Sequence, residues 1–346
     1  MVSQSLNKHP YVSIVIPLYN QQLPYFREAL FSALAQTYGP VEIIVSDNHS
    51  TNEVPAWLAT QADTRLRVVK PDQFLPMVEH FQFAADQAQG DWILYLCSDD
   101  YLYPTCVETL VNHLPNNDSA AVAYGELASV DFQNLDQIKF YYNRKATGLR
   151  TPAQSLNELI GQRPFFAWIP GGMIRRDAYQ HCRDVLNGRI TYGFDVALLL
   201  KAHEAGSILY VDKPIGKFRI WAAKDGKLGG NRLGEIIRDA GRCVELVETS
   251  TTLRGYVTDS ILANWRQYQA RRMELSVLID FFTKGSTASE AESLLSVVAT
   301  SLALPSSFTK LIRLLLKKPL SMFSRPLLAS LYDAYIYAQK WIKRPV

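Results

Sequence analysis

Three aspartates, Asp47, Asp99 and Asp100, each follow a run of apolar residues, and that placement suggests chemistry. Val41–Ser46 (VEIIVS) runs into Asp47, and Asp91–Leu96 runs into Cys97-Ser98-Asp99-Asp100. Apolar, β-branched runs bounded by turn residues read as buried parallel strands. In an open α/β sheet, ligands bind beyond the carboxyl ends of such strands. Carboxylates there would repel a phosphate, but they can hold a hard divalent cation, Mg²⁺ or Mn²⁺, that bridges phosphate oxygens. The grouping is therefore what a nucleoside diphosphate requires. Each acid also has a plainer use. Asp47 suits an Asx-turn, and Asp99-Asp100 suit a turn and N-cap before the helix that Pro104 opens. Their joint placement after apolar strands favours the functional use.

The elements that must position these acids can be followed along the chain. Tyr11–Pro17 (YVSIVIP) is a first strand, followed by a loop and a helix with Pro24 in its first turn and Phe26, Leu30, Ala33 and Leu34 at helical spacing. A short helix around Pro55–Gln61, a strand at Leu66–Val69 and a helix over Met77–Ala88 come next, with Gly90 as a helix-ending residue. Ala120–Tyr124 is another strand, and residues 131–163 look irregular. A helix over Asp195–Ala205, closed by Gly206, precedes two strands at Ser207–Asp212 and Ile215–Trp221. Strands separated by helices imply an α/β fold, a mostly parallel twisted sheet with helices on both faces. From Asn231 onward helix signals dominate. The glycine-rich Lys224–Gly230 (KDGKLGG) marks a boundary between a domain over 1–223 and a helical region over 224–346.

At this point the residues resemble a family. Val15-Ile16-Pro17-Leu18-Tyr19-Asn20, then Gln36-Thr37-Tyr38, then Glu42–Asn48, then Gly90-Asp91-Trp92 through Asp100 with Pro104 look like the family 2 glycosyltransferases, with the resemblance covering residues 11–221. It implies a GT-A type fold and an inverting transfer of a sugar, a hexose or deoxyhexose, from a nucleoside diphosphate to an acceptor hydroxyl in surface polysaccharide or glycoconjugate synthesis. Pro17, Tyr19 and Asn20 would line the donor nucleotide, with Tyr19 stacking on the base and Asp47, beside Asn48, accepting a hydrogen bond from it. Asp99 and Asp100 would stand for the DxD motif, touching the ribose and the metal. Cys97 replaces that motif's first acid, and a hard cation ignores a thiol. Asp195 would be the general base, with Phe194 beside it raising its pKa. Gly171-Gly172 matches the acceptor-side segment, and Arg219 matches an arginine able to pair with the diphosphate.

Composition narrows the alternatives. Hydrophobic residues make up 48% and charged residues 20%, enough for a buried core and against disorder. Four cysteines without a CxxC pair suggest a reduced, cytoplasmic setting. The first ten residues lack a signal-peptide stretch, and no apolar run is long enough for a membrane span. Net charge is +3, but from Phe308 to Val346 eight basic residues face Asp333 alone. That tail, with Leu311–Leu316 and Trp341, suits an anionic membrane surface and hence a lipid-linked saccharide acceptor at the inner face of the cell membrane. A helical bundle with solvated lysines is the other use of such a tail. Nucleic acid is not expected. A sugar-phosphate nucleotidyltransferase would need a Gly-rich, Arg-bearing loop where Leu18-Tyr19-Asn20-Gln21 stands, and a nicotinamide enzyme would need GxGxxG. A non-catalytic binding protein of the same fold is the remaining competitor, supported by Cys97 and Asn48. His203 is expected on a helix surface.

Overall fold

A computed structural model describes residues 9–116, 119–131, 133–142, 145–161, 168–220, 230–284 and 287–302. The basic tail at 308–346 and the boundary expected at 224 lie outside the described residues.

The elements run β1 (Val12–Leu18), α1 (Leu23–Leu34), β2 (Val41–Asp47), α2 (Val54–Leu58), β3 (Leu66–Val69), α3 (Met77–Asp86), β4 (Trp92–Tyr95), β5 (Tyr101–Leu102) and α4 (Cys106–Asn112). They continue with β6 (Ala120–Asp131), β7 (Ile138–Tyr142), β8 (Gly148–Arg150), α5 (Pro152–Gly161), β9 (Met173–Arg175), α6 (Arg176–Cys182), α7 (Phe194–Ala202) and β10 (Ser207–Ile220). The helices α8 (Gly230–Thr249), α9 (Thr251–Tyr256), α10 (Asp259–Lys284) and α11 (Ala288–Leu302) follow.

Every residue of β1 and of β2 is buried, which only a sheet covered on both faces allows. On one face Ile14, Ile16, Leu18, Ile43 and Val45 join Phe26, Leu30 and Ala33 of α1 and Val107 and Leu110 of α4 in a single core. Each such aliphatic side chain contributes roughly 1.5–3 kcal/mol by leaving water. On the other face α3 packs against β1 and β2. The sheet order is β3-β2-β1-β4-β9-β6-β10-β5, with β7 on β6 and β8 on β10. The block β3-β2-β1-β4 is parallel, as is the pair β6-β10, while β9 runs antiparallel between the two. The chain leaves β1 toward β2 and later returns to β1's other side as β4, so a crevice opens beyond the carboxyl ends of β1 and β4.

Three expectations are corrected here. The stretch 131–163 is not wholly irregular: β7 and β8 extend the sheet and α5 packs on β8 and β10. The two strands expected around Lys213-Pro214 are one strand, β10, whose register on β6 shifts between Val211 and Gly216. That irregularity absorbs Pro214, which has no N–H for the ladder. Gly90 serves close approach rather than helix ending, since a Cβ there would lie 2.7 Å from the Ser13 nitrogen and the Tyr11 carbonyl oxygen.

The described chain forms two compact units. One holds the sheet and its helices together with Leu246–Thr258, and the other holds 230–245 and the described residues from Asp259 onward. In the second unit α10 packs on α11, which buries Ala291, Leu294, Leu295, Val298 and Leu302 at helical spacing. No helix among the described residues is long and apolar enough to cross a membrane.

Candidate active site

Three strand exits form one rim because side chains tie them together. Asn52 Nδ2 donates to the Gln21 carbonyl at 2.7 Å, and Gln21 Nε2 donates to Ser98 Oγ at 3.4 Å. The loops after β2, β1 and β4 are thereby joined in series. Gln21 carried no motif that would single it out in the sequence.

At the exit of β1, Pro17 is buried opposite Ser46 of β2. Asn20 turns the chain with φ 46°, and its Oδ1 accepts the Thr51 N–H at 2.7 Å. Tyr19 stands out from this turn, 51% exposed, and meets Phe74 edge-on at 5.1 Å between ring centroids. Phe74 is 53% exposed and is held in place through Asn48. The Asn48 amide donates to the Leu75 carbonyl at 2.8 Å and accepts the Leu75 N–H at 2.9 Å, as a backbone partner would. Asn48, expected at the nucleotide, thus supports the backbone beside an aromatic wall. Asp47 is 6% exposed, and its Oδ1 accepts the Ser50 N–H at 3.0 Å, the turn bond foreseen as its plainer use. Behind it, His80 Nε2 lies 2.9 Å from Ser46 Oγ, and burial holds the imidazole down at about 4, hence neutral.

The exit of β4 carries two different carboxyl environments. Asp99 keeps partial contact with solvent. Asp100 is 1% exposed and points inward, its Oδ1 accepting the Arg219 N–H at 2.9 Å. Its Oδ2 is buried with no hydrogen-bond partner beyond the Cys97 thiol. Burial first, then the charge of Asp99, pushes the Asp100 carboxyl well above the usual carboxylate range. Arg219 is itself only 3% exposed. Its guanidinium donates to the Asp99 carbonyl and to the Glu28 carboxylate and lies 4.9 Å over the Tyr25 ring. The guanidinium expected to pair with a diphosphate thus already has protein partners in the Asp99 carbonyl, Glu28 and Tyr25.

Asp195 opens α7, where the Val196 N–H and its own N–H favour its charged form. Burial outweighs them and lifts the carboxyl to about 6. Phe194 beside it is buried and packs on Phe81 at 4.8 Å, while Asp195 itself keeps partial contact with solvent. The Trp168 indole N–H donates to the Asp195 carbonyl at 2.9 Å. Gly171, with φ 91°, and Gly172 are both buried, and a Cβ on Gly172 would lie 2.4 Å from the Trp168 carbonyl oxygen. A side chain at these expected acceptor-side glycines would meet Trp168, Leu102 and Ile215. His203, expected at the surface, is fully buried with Nε2 3.0 Å from Ser155 Oγ.

Electrostatics show which acids share a space. Burial, then the charges of Asp100, Asp99 and Asp195, pushes the Cys97 thiol well up. Asp195 therefore lies near enough to act on Cys97, which precedes Asp99 and Asp100 in the turn after β4, while Asp47 is engaged in the turn after β2. Among the described residues no group of three or more His, Cys, Asp or Glu side chains forms a cage for a metal. A partly exposed Asp99 next to an Asp100 oxygen with no partner beyond the Cys97 thiol suits a cation that takes one or two protein carboxylates and draws its other ligands from phosphate and water.

Comparisons with known proteins agree with this architecture. Residues 13–183 match the family model described as glycosyl transferase family 2. An uncharacterized glycosyltransferase of Rickettsia bellii (strain RML369-C) is 32% identical over 212 residues, 60% of this chain and 29% of that protein. Hyaluronan synthase of Streptococcus pyogenes serotype M3 (strain MGAS315) is 30% identical over 160 residues, 43% of this chain and 38% of the synthase. The chain therefore spans well under half the length of these relatives. The crystal structure of S. aureus TarS 1-349 superposes with a TM-score of 0.61 at 16% identity, covering 92% of this chain and 86% of that one, and the same protein has been solved in complex with UDP-GlcNAc. At that identity the likeness establishes the fold, which is of the GT-A type.

Proposed function

We propose, on the match of residues 13–183 to glycosyl transferase family 2, that this chain transfers a sugar from a nucleoside diphosphate to an acceptor hydroxyl with inversion. The observation that carries the reading is Asp195, a carboxyl at the start of α7 that burial raises to about 6 and whose charge is felt by Cys97. A base with that affinity for protons is mostly ionised at neutral pH yet still attracts the acceptor's proton. As the acceptor oxygen attacks the anomeric carbon, Asp195 takes the hydroxyl proton and the bond to the diphosphate breaks on the opposite face. One base and one displacement give inversion. The Tyr19 and Phe74 rings offer a planar base an apolar surface, and Asp47 offers it an acceptor oxygen beside its turn bond. Asp99, with Asp100 beside it, would hold a divalent cation. When bound, such a cation offsets the charge of the leaving diphosphate.

The acceptor is a saccharide in this reading, in keeping with a relative named for hyaluronan synthesis. The membrane role proposed for 308–346 is tested separately, by deleting that tail and measuring binding to anionic vesicles, where unchanged binding ends it. A binding protein without catalysis is the competing reading, and Cys97 in the turn is what favours it.

Thermal shifts with a panel of UDP-, GDP- and dTDP-sugars, with and without Mn²⁺, test the proposal. A true donor at a hundredfold excess over its Kd stabilises by about 2.7 kcal/mol. Release of nucleoside diphosphate from the stabilising donor then separates enzyme from binder. No stabilisation by any nucleotide sugar overturns both readings. In the same assay Asp47→Ala should weaken the donor about tenfold, the value of one hydrogen bond to a base plus a loosened turn. An unchanged midpoint removes Asp47 from the donor site.

A further inference from the structure

We infer that Glu28 and Arg219 form a clamp that positions the Cys97–Asp100 turn, which makes both of them positioning residues for the donor end of the site. The inference rests on the reading above that this turn meets the donor's diphosphate. Arg219 reaches the turn twice: its backbone N–H donates to Asp100 Oδ1 at 2.9 Å, and its guanidinium donates to the Asp99 carbonyl. The same guanidinium is gripped from α1, by the Glu28 carboxylate and by the face of Tyr25. One buried side chain thus fixes the turn against a helix and against the end of β10. A buried charged donor held in three directions is fixed, and Glu28 is the one of its partners that stands half in solvent.

A diphosphate ligand that uses Glu28 as a resting counter-ion would look similar in outline but would behave oppositely. Removing Glu28 would then free Arg219 and tighten nucleotide binding. For a clamp, removing Glu28 loosens the turn and weakens binding. Glu28 suits the test because its side chain is 48% exposed, so its loss leaves the core packed. Cys97 supplies a reporter that needs no donor. It is the one cysteine of the four with partial exposure, while Cys106, Cys182 and Cys243 are buried.

The full chain is compared as wild type, Glu28→Gln, Glu28→Ala and Arg219→Lys. Alkylation of Cys97 by iodoacetamide under native conditions is followed by peptide mass spectrometry, and binding of UDP and of GDP with Mn²⁺ by calorimetry. Cys97 should be labelled severalfold faster in Glu28→Ala and Arg219→Lys, with Glu28→Gln intermediate because its amide oxygen still accepts a hydrogen bond. Whichever nucleotide binds the wild type should bind Glu28→Ala about fivefold to tenfold more weakly, the scale of one charge-assisted bond. Unchanged Cys97 labelling in Glu28→Ala, or tighter nucleotide binding, overturns the clamp. If the wild type binds neither nucleotide, the labelling rates alone decide the clamp, and the donor reading is decided by the wider panel of nucleotide sugars. Should Arg219→Lys fail to fold, the two Glu28 variants carry the comparison.

Discussion

Replacing Asp195 by Asn should lower turnover by about 10²–10⁴-fold, the usual share of a general base, while donor affinity stays within about twofold. The amide keeps the shape of the helix start and the Trp168 contact, which is made by the Asp195 backbone rather than its side chain. It cannot take a proton. The pH profile adds an independent check. The base works only when ionised, so kcat/KM of the wild type should fall tenfold per unit of pH below about 6 and level off above it. Stability should move the other way. The carboxyl binds its proton more tightly folded than unfolded, so below the unfolded value of 3.8 it costs the fold nothing. As pH rises through about 6 a penalty develops, of order 2–3 kcal/mol for a shift of roughly two units. Asp195→Asn should therefore melt a few degrees higher than wild type at pH 8 and no higher at pH 3.5. Loss of activity together with a gain in Tm marks a strained functional group. A variant that transfers sugar normally, or melts lower at pH 8, removes Asp195 from the role of base.

Much of this site was legible because its signals are local. A fully buried parallel strand must be apolar throughout, so β1 and β2 announce themselves, and the residues just past them must lie at the carboxyl edge. Asp47, Asp99 and Asp100 were found that way. Side-chain direction is a different matter, since it is set by groups distant in sequence. Nothing near Asp100 says that it turns inward to a nitrogen 119 residues away. Nothing near Arg219 says that Glu28, 191 residues earlier, takes its guanidinium. Asn48 reads as a weakened acid until Leu75 is seen holding both ends of its amide. His203 is polar and sits on a helix whose neighbours are almost all apolar, a sign of burial that residue type alone obscures. The strand β8 is three residues long and partly exposed, so no apolar run marks it, whereas Ile138, Phe140, Tyr141 and Tyr142 of β7 did carry a strand signal.

The loop that supports the base makes the second large prediction. Gly172→Ala should destabilise the first unit by about 3 kcal/mol or more, as overpacking does in a core without slack. The added Cβ would lie 2.4 Å from the Trp168 carbonyl oxygen and 2.8 Å from Cε3 of its ring. Neither atom ends a flexible chain. The carbonyl already accepts the Gly172 N–H at 2.7 Å, and Trp168 is fully buried, so the strain moves the whole residue. Its indole N–H is the donor that holds the Asp195 carbonyl. A displacement of Trp168 is thus passed to the start of α7, and an ångström of error at a catalytic group costs on the order of 10²-fold in rate. The expected result is a Tm lower by roughly 6–12 °C, with kcat reduced in the fraction that remains folded. Gly39→Ala is the control, because a Cβ there meets nothing within 4 Å. It should melt and turn over as wild type. A Gly172→Ala variant that did the same would mean that Trp168 does not pack beneath this glycine, and the support proposed for Asp195 would have to come from elsewhere.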